Sequence, residues 1–339
     1  MSVSAIKMEE RAECTGMDKG LTDRYGRRID YLRISLTDRC SLRCIYCMPE
    51  ENSCGFLPAE ELLTEQEWIL FVQGAALAGI RKVRLTGGEP LMRQDLVEIV
   101  RGAASVSGIR KVVMTTNGVG LAEKAEALKE AGLAGINLSL DSLEKECYRK
   151  ITQRESLTQA LEGLKACRTY GIPVKINCVP VGTLNREQWV SLAELAVKEP
   201  IQVRFIEMMP IGDGKSFEPV PCREILKVLE QEFGPLFPAE QEEGAGPARL
   251  FSGQGFAGNI GFISAVRHGA CAGCNRIRAT ADGKIKLCLH HPPEGDLRAL
   301  LRQGAGPEEI RDWLCELVKR KPAGGHHTDE VRPMWKIGG

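Results

Sequence analysis

Six short runs of almost uninterrupted apolar or β-branched residues, set between Tyr31 and Met209 and separated by helical stretches, constrain this chain most. They are Ile29–Leu36, Lys82–Thr86, Lys111–Thr115, Gly135–Leu140, Val174–Val181 and Gln202–Met208. Strands that are apolar on both faces belong in a parallel sheet covered by helices. The intervening helices have readable ends. Thr64-x-x-Glu67 is a capping box and Gly79 closes that helix; Ser156-x-x-Gln159 has the same signature, with Gly171 beyond its last turn. Glu123–Glu130 and Arg186–Lys198 also have helical composition and period. Strand followed by helix predicts βαβ units with right-handed crossovers. A closed barrel needs eight such units. The expected fold is therefore α/β: a partial, open TIM-like barrel of about six units over residues 21–233.

Beyond it, residues 234–247 are rich in Gly, Pro and Glu and read as a linker. Short strand candidates follow at Asn259–Ser264, Arg276–Ala281 and Lys284–Leu289, then a helix over Pro307–Lys319 with Trp313, Leu314, Leu317 and Val318 on one face. Residues 234–339 are expected to form a C-terminal region that covers the barrel's mouth or side.

Composition excludes some classes. The 339 residues are 43% hydrophobic and 27% charged, enough for a sizeable core, and 45 basic residues balance 45 acidic ones. Global charge thus offers nothing to nucleic acid or an anionic membrane, and any anion site is local. No apolar run approaches the ~18 residues of a membrane span. Residues 1–20, with Glu9, Glu10 and Glu13 and no apolar stretch, read as a disordered lead-in rather than a signal peptide. A cytoplasmic location is expected. Thirteen cysteines are many and the number is odd, and thiols clustered at short spacing in a reducing compartment usually bind metal.

Cys40-Ser-Leu-Arg-Cys44-Ile-Tyr-Cys47 carries three thiols in the loop after the first strand. Three thiolates on a short loop can hold three irons of a 4Fe-4S cluster and leave the fourth open to another ligand. Zinc prefers paired C-x-x-C units with four closed ligands, which this triplet does not supply. A second group is Cys271-Ala-Gly-Cys274 with Cys288 further on. On its residues alone it fits either an iron–sulfur cluster or structural zinc completed by His268, His290 or His291. Cys14, Cys54, Cys147, Cys167, Cys178, Cys222 and Cys315 are scattered and read as structural thiols.

Polar residues gather toward the carboxyl ends of the strands, where barrels place their active sites: Thr86-Gly-Gly-Glu-Pro90, Thr115-Thr-Asn-Gly118, Asn137-Leu-Ser-Leu-Asp141 and Arg204-Phe-Ile-Glu-Met-Met209. Cations recur near them. Arg33, Lys82, Arg84 and Lys175 sit inside apolar strands, where an unpaired charge is costly. In Asn275-Arg-Ile-Arg278 the alternation of a strand turns Arg276 and Arg278 to one face, a fork suited to phosphate oxygens. An anionic ligand inside the barrel would balance these charges. His326-His327 reads as solvated loop, and neither a P-loop nor a dinucleotide fingerprint is present.

The triplet Cys40, Cys44 and Cys47, with Tyr46 inside it and the Gly87-Gly88-Glu89-Pro90 turn downstream, resembles the radical S-adenosylmethionine superfamily. Thr37–Cys40, Tyr46–Pro49, Thr86–Arg93, Thr115–Gly118, Arg204–Met209 and Cys271–Arg278 resemble one family within it, the GTP 3′,8-cyclases. The likeness runs from about Leu21 to the terminal Gly338-Gly339, and departs at Ala270, where an aromatic residue is expected.

The resemblance implies that Cys40, Cys44 and Cys47 bind a first 4Fe-4S cluster whose open iron takes S-adenosylmethionine. Tyr46, Gly88, Ser139 and Met209 would line that cofactor. It implies a second 4Fe-4S cluster on Cys271, Cys274 and Cys288, in place of zinc, with GTP contacted by Arg33, Arg84, Thr115, Lys175 and the run Arg276, Ile277 and Arg278. The implied reaction is radical cyclisation of GTP between its ribose 3′ carbon and guanine carbon 8, at the start of molybdenum cofactor biosynthesis. An electron donor of flavodoxin or ferredoxin type, a downstream pterin-forming enzyme, and a monomer or homodimer are the implied partners and state. The rival readings are another radical enzyme with an auxiliary cluster, such as a peptide maturase, or a non-enzymatic iron–sulfur or zinc module.

Overall fold

The six apolar runs become strands β1 (Tyr31–Ser35), β2 (Lys82–Thr86), β3 (Lys111–Thr116), β4 (Leu133–Ser139), β5 (Val174–Cys178) and β6 (Gln202–Ile206). Between them run α1 (Glu65–Ala78), α2 (Leu96–Ser105), α3 (Leu121–Glu130), α4 (Lys145–Thr152), α5 (Leu157–Thr169) and α6 (Gln188–Lys198). The computed structural model describes residues 20–48, 55–240, 246–264, 271–324 and 332–338. The lead-in, Ala270, His268, His326-His327 and Gly339 lie outside the described residues.

Local chemistry sets several boundaries. At Thr64 the capping box is complete: its Oγ1 accepts from the Glu67 N–H at 3.2 Å, and Glu67 Oε2 accepts from the Thr64 N–H at 2.8 Å. Ser156 precedes α5 without any side-chain cap bond, so the second capping box is not formed. β5 stops at Cys178 rather than Val181 because Pro180 cannot donate to a ladder; Val181 makes only an isolated bridge to Pro219.

The C-terminal half adds α7 (Cys222–Phe233), β7 (Phe237–Pro238), β8 (Arg249–Ser252), β9 (Asn259–Ile263), β10 (Arg276–Ala279), β11 (Lys284–Lys286), β12 (Gly295–Asp296), α8 (Leu297–Arg302), α9 (Pro307–Val318) and α10 (Met334–Ile337). One twelve-stranded sheet results, in the order β12-β11-β10-β1-β2-β3-β4-β5-β6-β9-β8-β7. β10 pairs parallel to β1 and β9 parallel to β6, so the parallel run is eight strands long, not six. The C-terminal region thus widens the barrel wall at both edges. β7 and β12 end the sheet without pairing to each other, which leaves the barrel open.

Alternation sorts the side chains. Leu32 and Ile34, Val83 and Leu85, Ile277 and Ala279 join the core that also holds Trp68 and Phe71 of α1. Tyr31, Arg33, Lys82, Arg84, Arg276 and Arg278 therefore take the other, concave face. Among the described residues no helix is long and apolar enough to cross a membrane.

Candidate active site

The first cysteine group grows out of the carboxyl end of β1. Its loop is tight, with the Cys44 carbonyl accepting from the Cys47 N–H at 2.8 Å and the Met48 N–H at 3.0 Å. The N–H groups of Arg43 and Ile45 tie it to the end of α4 through the carbonyls of Thr152 and Ile151 at 2.9 and 3.0 Å. The Gly87-Gly88 turn presses against the approach to Cys40, and a Cβ at Gly88 would sit 2.3 Å from the Arg39 carbonyl oxygen. Only glycine allows that approach. Next to it the Glu89 carboxylate accepts from Thr116 Oγ1 and the Asn117 N–H, each at 2.7 Å, and Asn117 Nδ2 donates to Ser41 Oγ at 3.0 Å. The turn after β2, the end of β3 and the cysteine loop are thereby one hydrogen-bonded unit.

Burial dominates the titration here. It pushes Cys40 up to about 11 with help from Glu89, and pushes Cys47 up to about 12 with help from Cys40, Asp213 and Asp141. Cys44 is raised well above its ordinary value by burial, Asp141 and the two neighbouring thiols. Cys44 and Cys47 each have the ionisation of neighbouring thiols working against their own. Binding to cationic metal is the state that relieves the repulsion. Tyr46 donates its hydroxyl to Asp141 Oδ2 at 2.6 Å, and burial lifts Asp141 to about 6. Ser139 ends β4 opposite Asn177 of β5, and Met209 lies three residues past β6. Tyr46, Gly88, Ser139 and Met209 thus lie beyond or at the carboxyl ends of β1, β2, β4 and β6, on the rim that carries the first cysteines.

The second group lies at the opposite rim. Cys271 and Cys274 precede β10, and β10 runs parallel to β1 with Arg276 opposite Tyr31. β11 returns antiparallel, Lys286 opposite Arg278, so Cys288 comes back to the same end. The strands between the rims are about five residues, roughly 13 Å, long. Among the described residues no three Cys, His, Asp or Glu side chains come close enough to share a single ion, at either group. A cubane takes each thiolate on a different iron and so accepts wider spacing than one zinc ion. His291 turns its carbonyl toward Lys286 Nζ, and its Nε2 is buried without a partner.

Between the rims the concave face is cationic. Arg278, Arg33 and Arg84 stand in one register row across β10, β1 and β2, and Arg276, Tyr31 and Lys82 form the row below. Arg84 donates to the Tyr31 hydroxyl, to Thr115 Oγ1 at 3.1 Å and to the Met114 carbonyl at 3.2 Å. Arg278 Nη1 donates to the Gly338 carbonyl at 2.7 Å, so the chain's tail reaches into the chamber. Lys175 on β5 is opposite Asn137, in the same wall. Burial lowers Arg33 to about 10, against the pull of Tyr31 and with the repulsion of Arg84 and Arg276. Arg278 is held well below its ordinary value by burial, Arg33 and Arg276.

Two chamber residues are missing from the nucleotide contacts that the sequence implies, although Arg204 counts among the polar residues at the strand ends. Arg204 on β6 is 5% exposed, and its Nε and Nη2 are buried without a hydrogen-bond partner. Burial and Arg84 lower it to about 9. Its stem passes where Gly261 of β9 leaves room, since a Cβ there would lie 2.8 Å from Arg204 Cγ. Tyr31 is raised by burial but pulled down further by Arg84, Arg33 and Lys82, to about 7. The phase of alternation within each strand was the available signal for both. Ile277 differs from its neighbours: its side chain is 0% exposed in the core, so only its main chain is available to a nucleotide. The buried, unpartnered guanidinium nitrogens of Arg204 call for an anion.

The family model of the Radical SAM superfamily matches residues 34–196, and that of Molybdenum Cofactor Synthesis C matches residues 201–327. Among solved structures, Streptococcus suis SuiB bound to S-adenosylmethionine has a TM-score of 0.57 at 14% identity, covering 86% of this chain and 71% of that one. That likeness shows the shared fold. An open α/β barrel with a rim of cysteines defines the class, a radical SAM enzyme. The GTP 3′,8-cyclase of Pelotomaculum thermopropionicum is 43% identical over 326 residues, covering 94% of this chain and all of the relative. Those of Thermodesulfovibrio yellowstonii and Clostridium perfringens are 42% and 40% identical with the same coverage. The chain belongs to the GTP 3′,8-cyclase family.

Proposed function

We propose that this protein converts GTP to (8S)-3′,8-cyclo-7,8-dihydroguanosine 5′-triphosphate, opening molybdenum cofactor biosynthesis. The observation that carries the reading is a cationic concave wall between two rims that each carry a cysteine triplet. When bound, a 4Fe-4S cluster on Cys40, Cys44 and Cys47 would supply hydrogen abstraction at the ribose 3′ carbon, one electron from the donor splitting S-adenosylmethionine to methionine and a 5′-deoxyadenosyl radical, with a second electron and a proton completing the bond from the 3′ carbon to guanine carbon 8. The chain's own residues bind and orient. Tyr46, Gly88, Ser139 and Met209 hold the cofactor at the carboxyl rim. Arg33, Arg84, Thr115, Lys175, Arg276 and Arg278, with the main chain of Ile277, grip the nucleotide, and Arg204 joins them because its buried nitrogens are otherwise unmet. Cys271, Cys274 and Cys288 would hold a second 4Fe-4S cluster at the amino rim, which would supply a site for the guanine end.

The chamber walls exclude water from the reacting carbons, and fixed contacts at both ends keep them in near-contact geometry. Residues 21–233 serve as the radical-generating barrel and residues 234–339 as the auxiliary-cluster region. An electron donor of flavodoxin or ferredoxin type supplies reducing equivalents, a pterin-forming enzyme takes the product, and a cytoplasmic monomer or homodimer is the working form. The test is anaerobic reconstitution followed by incubation with GTP, S-adenosylmethionine and a reductant, with nucleotides resolved by mass. Cyclised GTP and 5′-deoxyadenosine in step are the expected result. Cofactor cleavage with GTP left untouched sinks the reading.

A further inference from the structure

Behind the second cysteine group stands a lysine with no carboxylate partner. Lys321 is 2% exposed, yet it follows the end of α9 by only three residues. Its ammonium donates to the Arg276 carbonyl at 2.8 Å and to the Leu287 carbonyl. Arg276 is two residues past Cys274, and Leu287 immediately precedes Cys288. Glu294, the carboxylate in its neighbourhood, accepts from the Leu287 N–H at 3.0 Å, and no ion pair joins it to Lys321. Carbonyl dipoles solvate an ammonium but do not neutralise it, and an uncompensated charge buried this deeply is costly.

A second buried cation backs the same loop. Arg27, 8% exposed, pairs with Asp23 at 2.5 Å. Its Nη1 donates to the carbonyls of Cys271 and Ala323, both at 2.8 Å, and its Nη2 to the Pro322 carbonyl at 2.5 Å. Asp23 neutralises Arg27, whereas no carboxylate among the described residues pairs with Lys321. Each of the three cysteines is therefore tied, directly or within two residues, to one of two buried cations that come from outside the cysteine motif.

We propose that Lys321 is the positioning cation of the second cysteine group: it holds the Cys274 and Cys288 segments in register and offsets the negative charge of the metal group they bind, while Arg27 fixes Cys271 to the segment that carries Lys321. This rests on the reading of Cys271, Cys274 and Cys288 as cluster ligands. A three-thiolate 4Fe-4S group is anionic, and a nearby positive charge favours its reduced form, so removing that charge lowers its reduction potential.

The test compares the full chain with its Lys321→Met and Arg27→Gln variants after anaerobic reconstitution, by iron and sulfide content and by potentiometric titration followed by electron paramagnetic resonance. Native chain at about eight irons, with Lys321→Met at about four or at about eight with the second signal moved to lower potential, is the expected result. Native chain at about eight irons and Lys321→Met with the same content and potential overturns this inference and leaves the cluster reading standing. Native chain at about four irons overturns the cluster reading itself, and this inference with it. If the circular dichroism of Lys321→Met is that of an unfolded chain, Arg27→Gln decides: loss of the second iron set alone supports the bracket, and full iron with unchanged potential overturns it.

Discussion

The two cysteine groups sit at opposite rims of one barrel and are built by opposite means. Cys40, Cys44 and Cys47 occupy eight consecutive residues in a turn closed by its own main chain. Their surroundings are apolar and acidic, and burial pushes all three thiols up. Cys271, Cys274 and Cys288 are spread over two segments and depend on Arg27 and Lys321 from two others. Cys274 has basic surroundings: burial raises it, but Lys321 and Arg276 outweigh that and leave it below its ordinary value. A thiol that ionises with difficulty needs metal to do so, whereas cations beside a thiol favour its thiolate form. The first group is a local motif, and the second is a product of the whole fold.

The largest expected effect breaks this pair apart. Cys44→Ser should abolish 5′-deoxyadenosine formation, because loss of one of three ligands leaves the open-iron cluster unsupported. Cys288→Ser should retain that cleavage and lose cyclised nucleotide. Chromatography of both products checks each variant, and equal behaviour would mean the two groups are not distinct in role.

Next in size is the chamber between them. A charge-assisted contact is worth roughly 1.5–3 kcal/mol, so Arg276→Ala or Arg278→Ala should weaken GTP about 10- to 100-fold. Affinity for S-adenosylmethionine at the far rim should hold. Calorimetric titration with each ligand separates the two, and native GTP affinity in the double variant would make these arginines structural.

Gly88→Ala probes how little slack the first group has. The new Cβ would meet the Arg39 carbonyl oxygen at 2.3 Å, and overpacking against main chain costs about 1–3 kcal/mol. The expected loss is in denaturation midpoint and in iron retained at the first group, with the second unaffected. An unchanged midpoint would mean that the cysteine loop yields.

The smallest effect is a matter of pH. Tyr31 in the substrate-free chamber titrates near 7, and its phenolate would occupy the field that Arg33, Lys82, Arg84 and Arg276 offer a phosphate. An arriving anion raises that pKa, so binding is favoured while the phenol is protonated and opposed as pH rises through about 7. Tyr31→Phe lacks the opposition. The ratio of native to variant dissociation constants should therefore climb across pH 6 to 8.5, by about tenfold for each unit that GTP raises the phenol. A flat ratio would show that the phenol stays neutral throughout.

Much of this was legible in the residues. The cysteine triplet, the Gly87-Gly88 turn and the alternation that turns Arg276 and Arg278 to one face are short-range features, so spacing alone exposes them. Strand ends were less so: the apolar run through Val181 hides the interruption at Pro180, and Ser156 has the letters of a cap without its bond. Ile277 was grouped with its arginine neighbours although its side chain belongs to the core.

What the sequence by itself determined is the parallel α/β class and the chemistry of the donors, because hydrophobic period, caps and ligand spacing are carried by residues close together in the chain. Only the tertiary structure decided where those donors meet. That β9 and β10 complete an eight-strand parallel run follows from edge pairings between segments about 60 and 245 residues apart, which no local period encodes. The same pairings put the second cysteines at the rim opposite the first, align Arg278, Arg33 and Arg84 in one row, and bury Lys321 behind Cys274 and Cys288. Charge in a sequence has no sign of its surroundings; only packing sets the dielectric and the neighbours that turn a lysine or a tyrosine into part of a site.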